Sequence, residues 1–148
     1  MKSIYRILPP GLTSLLVIAA IAYLSLSSDP MGASHMHLFP GSDKVAHFLM
    51  YFFAAQAFIC DYARLCLPHH TKLNVELALT TCAMLLGLIM EVGQLTLCET
   101  RSFDSLDIVS NCLGAIAGFM WLRYAGGMHR FRRAMLSHRH HHHRHDVR

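Results

Sequence analysis

Leu12–Leu26 reads LTSLLVIAAIAYLSL, a stretch without a charge that is entered through Pro9-Pro10. A helix buried in a soluble bundle keeps a polar stripe along its outer face. Here the stripe is missing, and the polar positions are small hydroxyls such as Thr13, Ser14 and Ser25. Three more apolar runs follow, at about 45–67, 75–97 and 106–124. Helices of roughly 17–25 apolar residues match the thickness of a bilayer core. The expected fold is therefore all-α: an integral membrane bundle of four transmembrane helices.

Composition agrees. Of 148 residues, 53% are hydrophobic and only 15% charged, against about 25% charged in a typical soluble domain. A small soluble domain has too large a surface to manage with so few charges. The five cysteines, Cys60, Cys66, Cys82, Cys98 and Cys112, include no C-x-x-C pair. They read as small buried hydrophobes, not as zinc ligands or a disulfide framework. Neither a metal nor any other cofactor is expected.

Lys and Arg set the expected orientation. Lys2, Arg6, Arg64, Lys72, Arg123, Arg130, Arg132, Arg133, Arg139, Arg144 and Arg148 fall on one side of the spans, and only Lys44 and Arg101 on the other. The positive-inside rule then places both termini and the middle loop in the cytoplasm, with loops 28–44 and 98–105 outside. Trp121 and Tyr124 suit an interfacial belt at the inner end of the fourth span. Lys2, Arg6 and the first apolar run also resemble a signal peptide ending near Ser27. The small-residue cleavage site is poor, however, and the first span is expected to stay. The domain spans residues 1–126. Residues 127–148 are a basic, His-rich cytoplasmic tail, expected to be disordered and drawn to anionic lipid. This one-sided tail is no nucleic-acid-binding domain.

Charged groups within a membrane helix cost roughly 2.5–3.5 kcal/mol at its centre, so their recurrence calls for a cause. They gather at one end. Asp43, Lys44 and His47 open the second span, Glu91 and Gln94 lie near the outer end of the third, and Arg101 sits in the loop beyond. Asp104, Asp107 and Asn111 open the fourth span at offsets that put them on one helix face, continued by Gly114 and Gly118. At 1.5 Å per residue, His47 lies about 6 Å inside Asp43 and Asn111 about 10 Å inside Asp104. Three helices thus bring polar groups to one shallow layer, expected to form a single ligand-binding pocket open to the outside. Each residue also has a structural reading. Asp104 and Asp107 can cap a helix, Arg101 can pair with Glu91 or Asp107, and G-x-x-x-G can seat one helix on another. Asp61, Arg64 and Glu76, near the inner interface, are read as structural.

Taken together, Asp43-Lys44-x-x-His47 with Tyr51, Glu91-x-x-Gln94 and Arg101-x-x-Asp104-x-x-Asp107-x-x-x-Asn111-x-x-Gly114 resemble the VanZ-like family. These are small multi-pass proteins of the bacterial cytoplasmic membrane, named for a member linked to teicoplanin resistance. The similarity covers about residues 10–124 and implies a role in the cell envelope without implying a reaction. The expected function is binding of a lipid-linked or lipophilic envelope ligand, such as a cell-wall precursor or a lipoglycopeptide. Membrane lipids, a second copy or another membrane protein are the further partners expected. The alternative is a membrane-embedded acid/base enzyme acting on a lipid-linked intermediate, with His47 as acid or base oriented by Glu91 or Asp107. A carrier is disfavoured, because no internal repeat and no mid-membrane charge is visible.

The orientation makes a direct prediction. With Cys98 as the only native cysteine, a membrane-impermeant thiol reagent should label intact cells. A variant retaining only Cys66 should be labelled only after lysis, and the reverse pattern overturns the assignment.

Overall fold

The computed structural model describes residues 9–26, 41–97 and 105–136. Among them are five helices and no strand: α1 Leu12–Leu26, α2 Ser42–Cys66, α3 Leu73–Leu97, α4 Ser105–Tyr124 and α5 Gly127–Leu136. The all-α class is as expected. Helices α2, α3 and α4 have 25, 25 and 20 residues, lengths of about 30–38 Å that suffice for a bilayer core of about 30 Å. These three are long and apolar enough to cross a membrane. α1 is apolar but has only 15 residues, about 22 Å of helix.

Burial is inverted relative to a soluble bundle. Large apolar side chains point outward from every long helix, among them Leu15, Leu49, Phe53, Leu85, Ile89, Leu113 and Trp121. The interior holds Ser25, His47, Asp61, Glu76, Glu91, Gln94, Asp107 and Asn111 beside a small apolar core. Water would penalise this arrangement through so much exposed apolar surface. A hydrocarbon solvent favours it, because polar side chains are then cheapest inside the bundle.

Small residues let the helices approach. The central core cluster is Ile21, Tyr51, Ala54, Ala55, Ala83 and Ala115, four of its six members being alanine. α4 packs most extensively on α2. A Cβ on Gly114 would strike the Phe48 carbonyl, and one on Gly118 the Phe52 carbonyl. Backbone thus meets backbone, the contact that G-x-x-x-G permits. Across this seam Lys44 meets Asp107 and His47 meets Asn111, so numbers rise together and the two helices run parallel. Glu91, late in α3, faces His47, early in α2, so α3 runs antiparallel to both. α1 is antiparallel to α2, since Ser14 near its start bonds Asp61 near the end of α2.

α5 corrects the expectation of a wholly disordered tail. After Gly126, which has φ +76°, the chain re-enters a helix over Gly127–Leu136. Met128 and Phe131 pack against Ile59, Cys60, Phe119 and Leu122. The charge count of this segment hides its apolar residues, which share a helix face at three-residue spacing. One turn beyond Met128, Arg132 donates to the Pro68 carbonyl at 2.7 Å. Residues 137–148, including the His-rich run, lie outside the described residues.

Gly114→Ala should force α4 off α2 and destabilise the fold by about 1–3 kcal/mol, the usual cost of overpacking. Thermal unfolding in detergent measures it. Ile116→Ala, on the outward face of the same helix, should change little.

Candidate functional site

α2 begins at Gly41, whose φ of 88° is left-handed, a conformation glycine adopts without a steric penalty. The first helical turns then present Asp43, Lys44 and His47. Asp43 is exposed at the helix start, where a carboxylate complements the helix dipole. His47, one turn further in, is only 3% exposed. The parallel seam with α4 sets Asp107 beside Lys44 and Asn111 beside His47. Lys44 Nζ donates to Asp107 Oδ1 at 3.2 Å. α3 closes the third side with Glu91, which is 1% exposed.

The two nitrogens of His47 see different surroundings. Nδ1 lies 3.0 Å from Asn111 Oδ1 and 3.6 Å from Glu91 Oε1. In the 3.0 Å contact the Asn111 carbonyl oxygen accepts and Nδ1 donates. Nε2 is the nitrogen on the other side of the ring. It faces Asp43 Oδ1 at 3.8 Å and Asp107 Oδ2 at 3.9 Å, both beyond hydrogen-bond length. The ligating atoms of Asp43, His47 and Asp107 all lie within 4.8 Å of one another. Beneath this layer are two buried polar atoms without a hydrogen-bond partner among the described residues, Tyr51 Oη and Asn111 Nδ2.

The structure therefore brings together six of the nine residues expected at the pocket: Asp43, Lys44, His47, Glu91, Asp107 and Asn111. Gln94 is buried too, but its Nε2 donates to the Ser25 carbonyl at 2.9 Å and ties α3 to α1. Arg101 and Asp104 lie outside the described residues, and with them any pairing of Arg101 to Glu91 or Asp107. The partner seen for Asp107 is Lys44, a pairing that sequence spacing does not reveal because it depends on the α2–α4 register. Tyr51, named above only within the family motif, was not among the residues expected at the pocket. Tyr51 is one turn from His47 on the same face, a signal readable from the sequence.

At the opposite end the carboxylates are engaged structurally. Asp61 Oδ2 accepts from Ser14 N at 2.9 Å and Ser14 Oγ at 2.7 Å, while Arg64 donates to Oδ1 at 3.3 Å. Asp61 thus caps α1 from a neighbouring helix, satisfying an N-terminal amide that has no partner within α1. Glu76 accepts from Arg123 at 2.9 Å and from Thr71. Both oxygens of each carboxylate are used. The His47 layer differs: it pairs the buried Nε2 of His47 with a half-exposed ammonium and an exposed carboxylate, groups able to take a proton, a cation or an anionic head group.

Lys44 and Asp107 should be coupled energetically. Lys44→Met and Asp107→Asn should each destabilise the fold, and the double variant by less than their sum, with an interaction energy of about 1 kcal/mol. Unfolding of the four proteins in detergent measures this cycle. Additive losses would show that the two side chains do not meet.

No family model, no curated protein and no solved structure matches this chain.

Proposed function

We propose that this is a VanZ-like protein of the bacterial cytoplasmic membrane, with four spans and both termini in the cytoplasm. On this reading the layer around His47 lies at the extracytoplasmic ends of α2, α3 and α4. It binds the polar head of a lipid-linked cell-wall precursor or a lipophilic glycopeptide, and a contribution to teicoplanin resistance follows from sequestering such a ligand.

One observation carries the reading: buried polar groups from three apolar helices converge at one end, and that end opens outward through Asp43 and Lys44. A helix pair needing only mutual attachment has the glycine seam already. The partly exposed Lys44 ammonium supplies a point charge for a phosphate. Apolar side chains around the rim, Val45, Leu49, Leu95 and Leu106, supply a surface for an acyl or polyprenyl chain.

The test is a binding titration of the purified chain in detergent micelles with a polyprenyl-diphosphate-linked sugar. Saturable binding that weakens in Lys44→Met, while the same polyprenol without phosphate fails to bind, is the expected result. Equal binding by the parent and Lys44→Met would remove the pocket from the interaction. Turnover of the bound lipid, lost in His47→Gln, would favour the acid/base enzyme instead.

A further inference from the structure

We propose that Asp43, His47 and Asp107 form a divalent metal site that joins the first turns of α2 and α4. The inference does not depend on which lipid, if any, is recognised there.

The geometry of His47 points to it. A metal-ligating histidine ordinarily donates its second ring N–H to an oxygen, which fixes the tautomer and aims the other nitrogen at the ion. His47 Nδ1 has that oxygen in Asn111 Oδ1 at 3.0 Å, with Glu91 Oε1 behind it at 3.6 Å. Nε2, on a side chain 97% buried, has no hydrogen bond among the described residues. It is aimed at one oxygen from each of two carboxylates, 3.8 and 3.9 Å away. These separations are too long for a direct hydrogen bond. They suit a shared ion: two ligands at zinc–nitrogen and zinc–oxygen distances on a tetrahedral centre are about 3.4 Å apart. Both carboxylate oxygens then move about half an ångström toward Nε2 to reach that spacing, and Asp43, whose side chain is 57% exposed, has room to swing in toward Asp107.

Division of labour within Asp107 supports the same conclusion. Its Oδ1 is held by Lys44 Nζ at 3.2 Å, whereas Oδ2 is the oxygen that faces His47 Nε2. Lys44 therefore anchors the carboxylate without occupying the metal-facing oxygen. One imidazole with two carboxylates is a donor set for a first-row divalent ion such as Zn²⁺ or Mn²⁺. Three protein ligands leave a coordination position open for water or an anionic oxygen. The spacing of Asp43 and His47, four residues on one helix, is common in proteins and signals nothing alone. The third ligand comes from 60 residues further on, through a helix register that only the fold reveals.

The experiment uses the full chain with the tail histidines His138, His140, His141, His142, His143 and His145 replaced by alanine, so that they contribute no binding. Zn²⁺ is titrated into the chelator-treated protein in detergent by calorimetry, and bound metal is counted after desalting. One equivalent is expected. Asp43→Asn, exposed and outside the packed seam, should weaken affinity by at least the about 10–100-fold typical of losing an outer-shell partner. Its helix content and melting temperature without metal should stay as in the parent. His47→Gln should abolish binding. Should that variant fail to fold, Asp43→Asn still decides the matter. No stoichiometric Zn²⁺ or Mn²⁺, or an affinity unchanged by Asp43→Asn, overturns the site. Head-group binding is titrated separately on the chelated protein, so loss of either result leaves the other interpretable.

Discussion

Contact between the backbones of α2 and α4 underlies everything else in this molecule. Gly114 and Gly118 remove the two side-chain atoms that would hold the helices apart, and the Phe48 and Phe52 carbonyls fill the space. Because the helices run parallel, the contact fixes not only their distance but their register. One turn before Gly114 that register lays Asn111 on His47, and two turns before it Asp107 on Lys44. The polar layer is therefore a consequence of the seam. A shift by one residue would turn Asp107 and Asn111 about 100° around the helix and toward lipid, where an uncompensated charge is expensive.

The same seam explains how so many polar groups are tolerated. Within the bundle they satisfy one another across helices instead of along them: Asp61 with Ser14, Glu76 with Arg123, Gln94 with the Ser25 carbonyl, His47 with Asn111. Each bond links two helices, in a solvent that offers no hydrophobic drive toward their association. Both oxygens of Asp61 and of Glu76 accept from donors. At the other end His47 Nε2 faces Asp43 and Asp107 at 3.8 and 3.9 Å, beyond hydrogen-bond length, and that asymmetry separates the two clusters.

Much of this was legible from residue types and spacing. Apolar run lengths define α2, α3 and α4 closely, because in hydrocarbon the helix is the one local structure that satisfies its own backbone. Convergence of Asp43, Lys44, His47, Glu91, Asp107 and Asn111 followed from helix rise and the common end they occupy. What was hidden was pairing. Nothing in the spacing says that Lys44 reaches Asp107, or that Gln94 turns to α1, since both depend on which helices touch. α5 was hidden for another reason: Met128 and Phe131 are outnumbered by basic neighbours, and composition averages away a face only two side chains wide. α1 falls on Leu12–Leu26, the run read from the sequence.

Between His47 and Asp61, about 21 Å apart along α2, the most buried side chains include Tyr51, Ala54, Ala55, Ala57, Ile59 and Cys60. Ala83 and Ala115 face the same core from α3 and α4. Small apolar side chains therefore make up most of the middle of the bundle, and Asp61 stands about four helical turns from His47. The hydrogen bonds of Asp61 and Glu76 go to Ser14, Arg64, Thr71 and Arg123, and those of His47 and Lys44 to Asn111 and Asp107. Among the described residues the two polar clusters thus share none of these partners and meet through apolar packing.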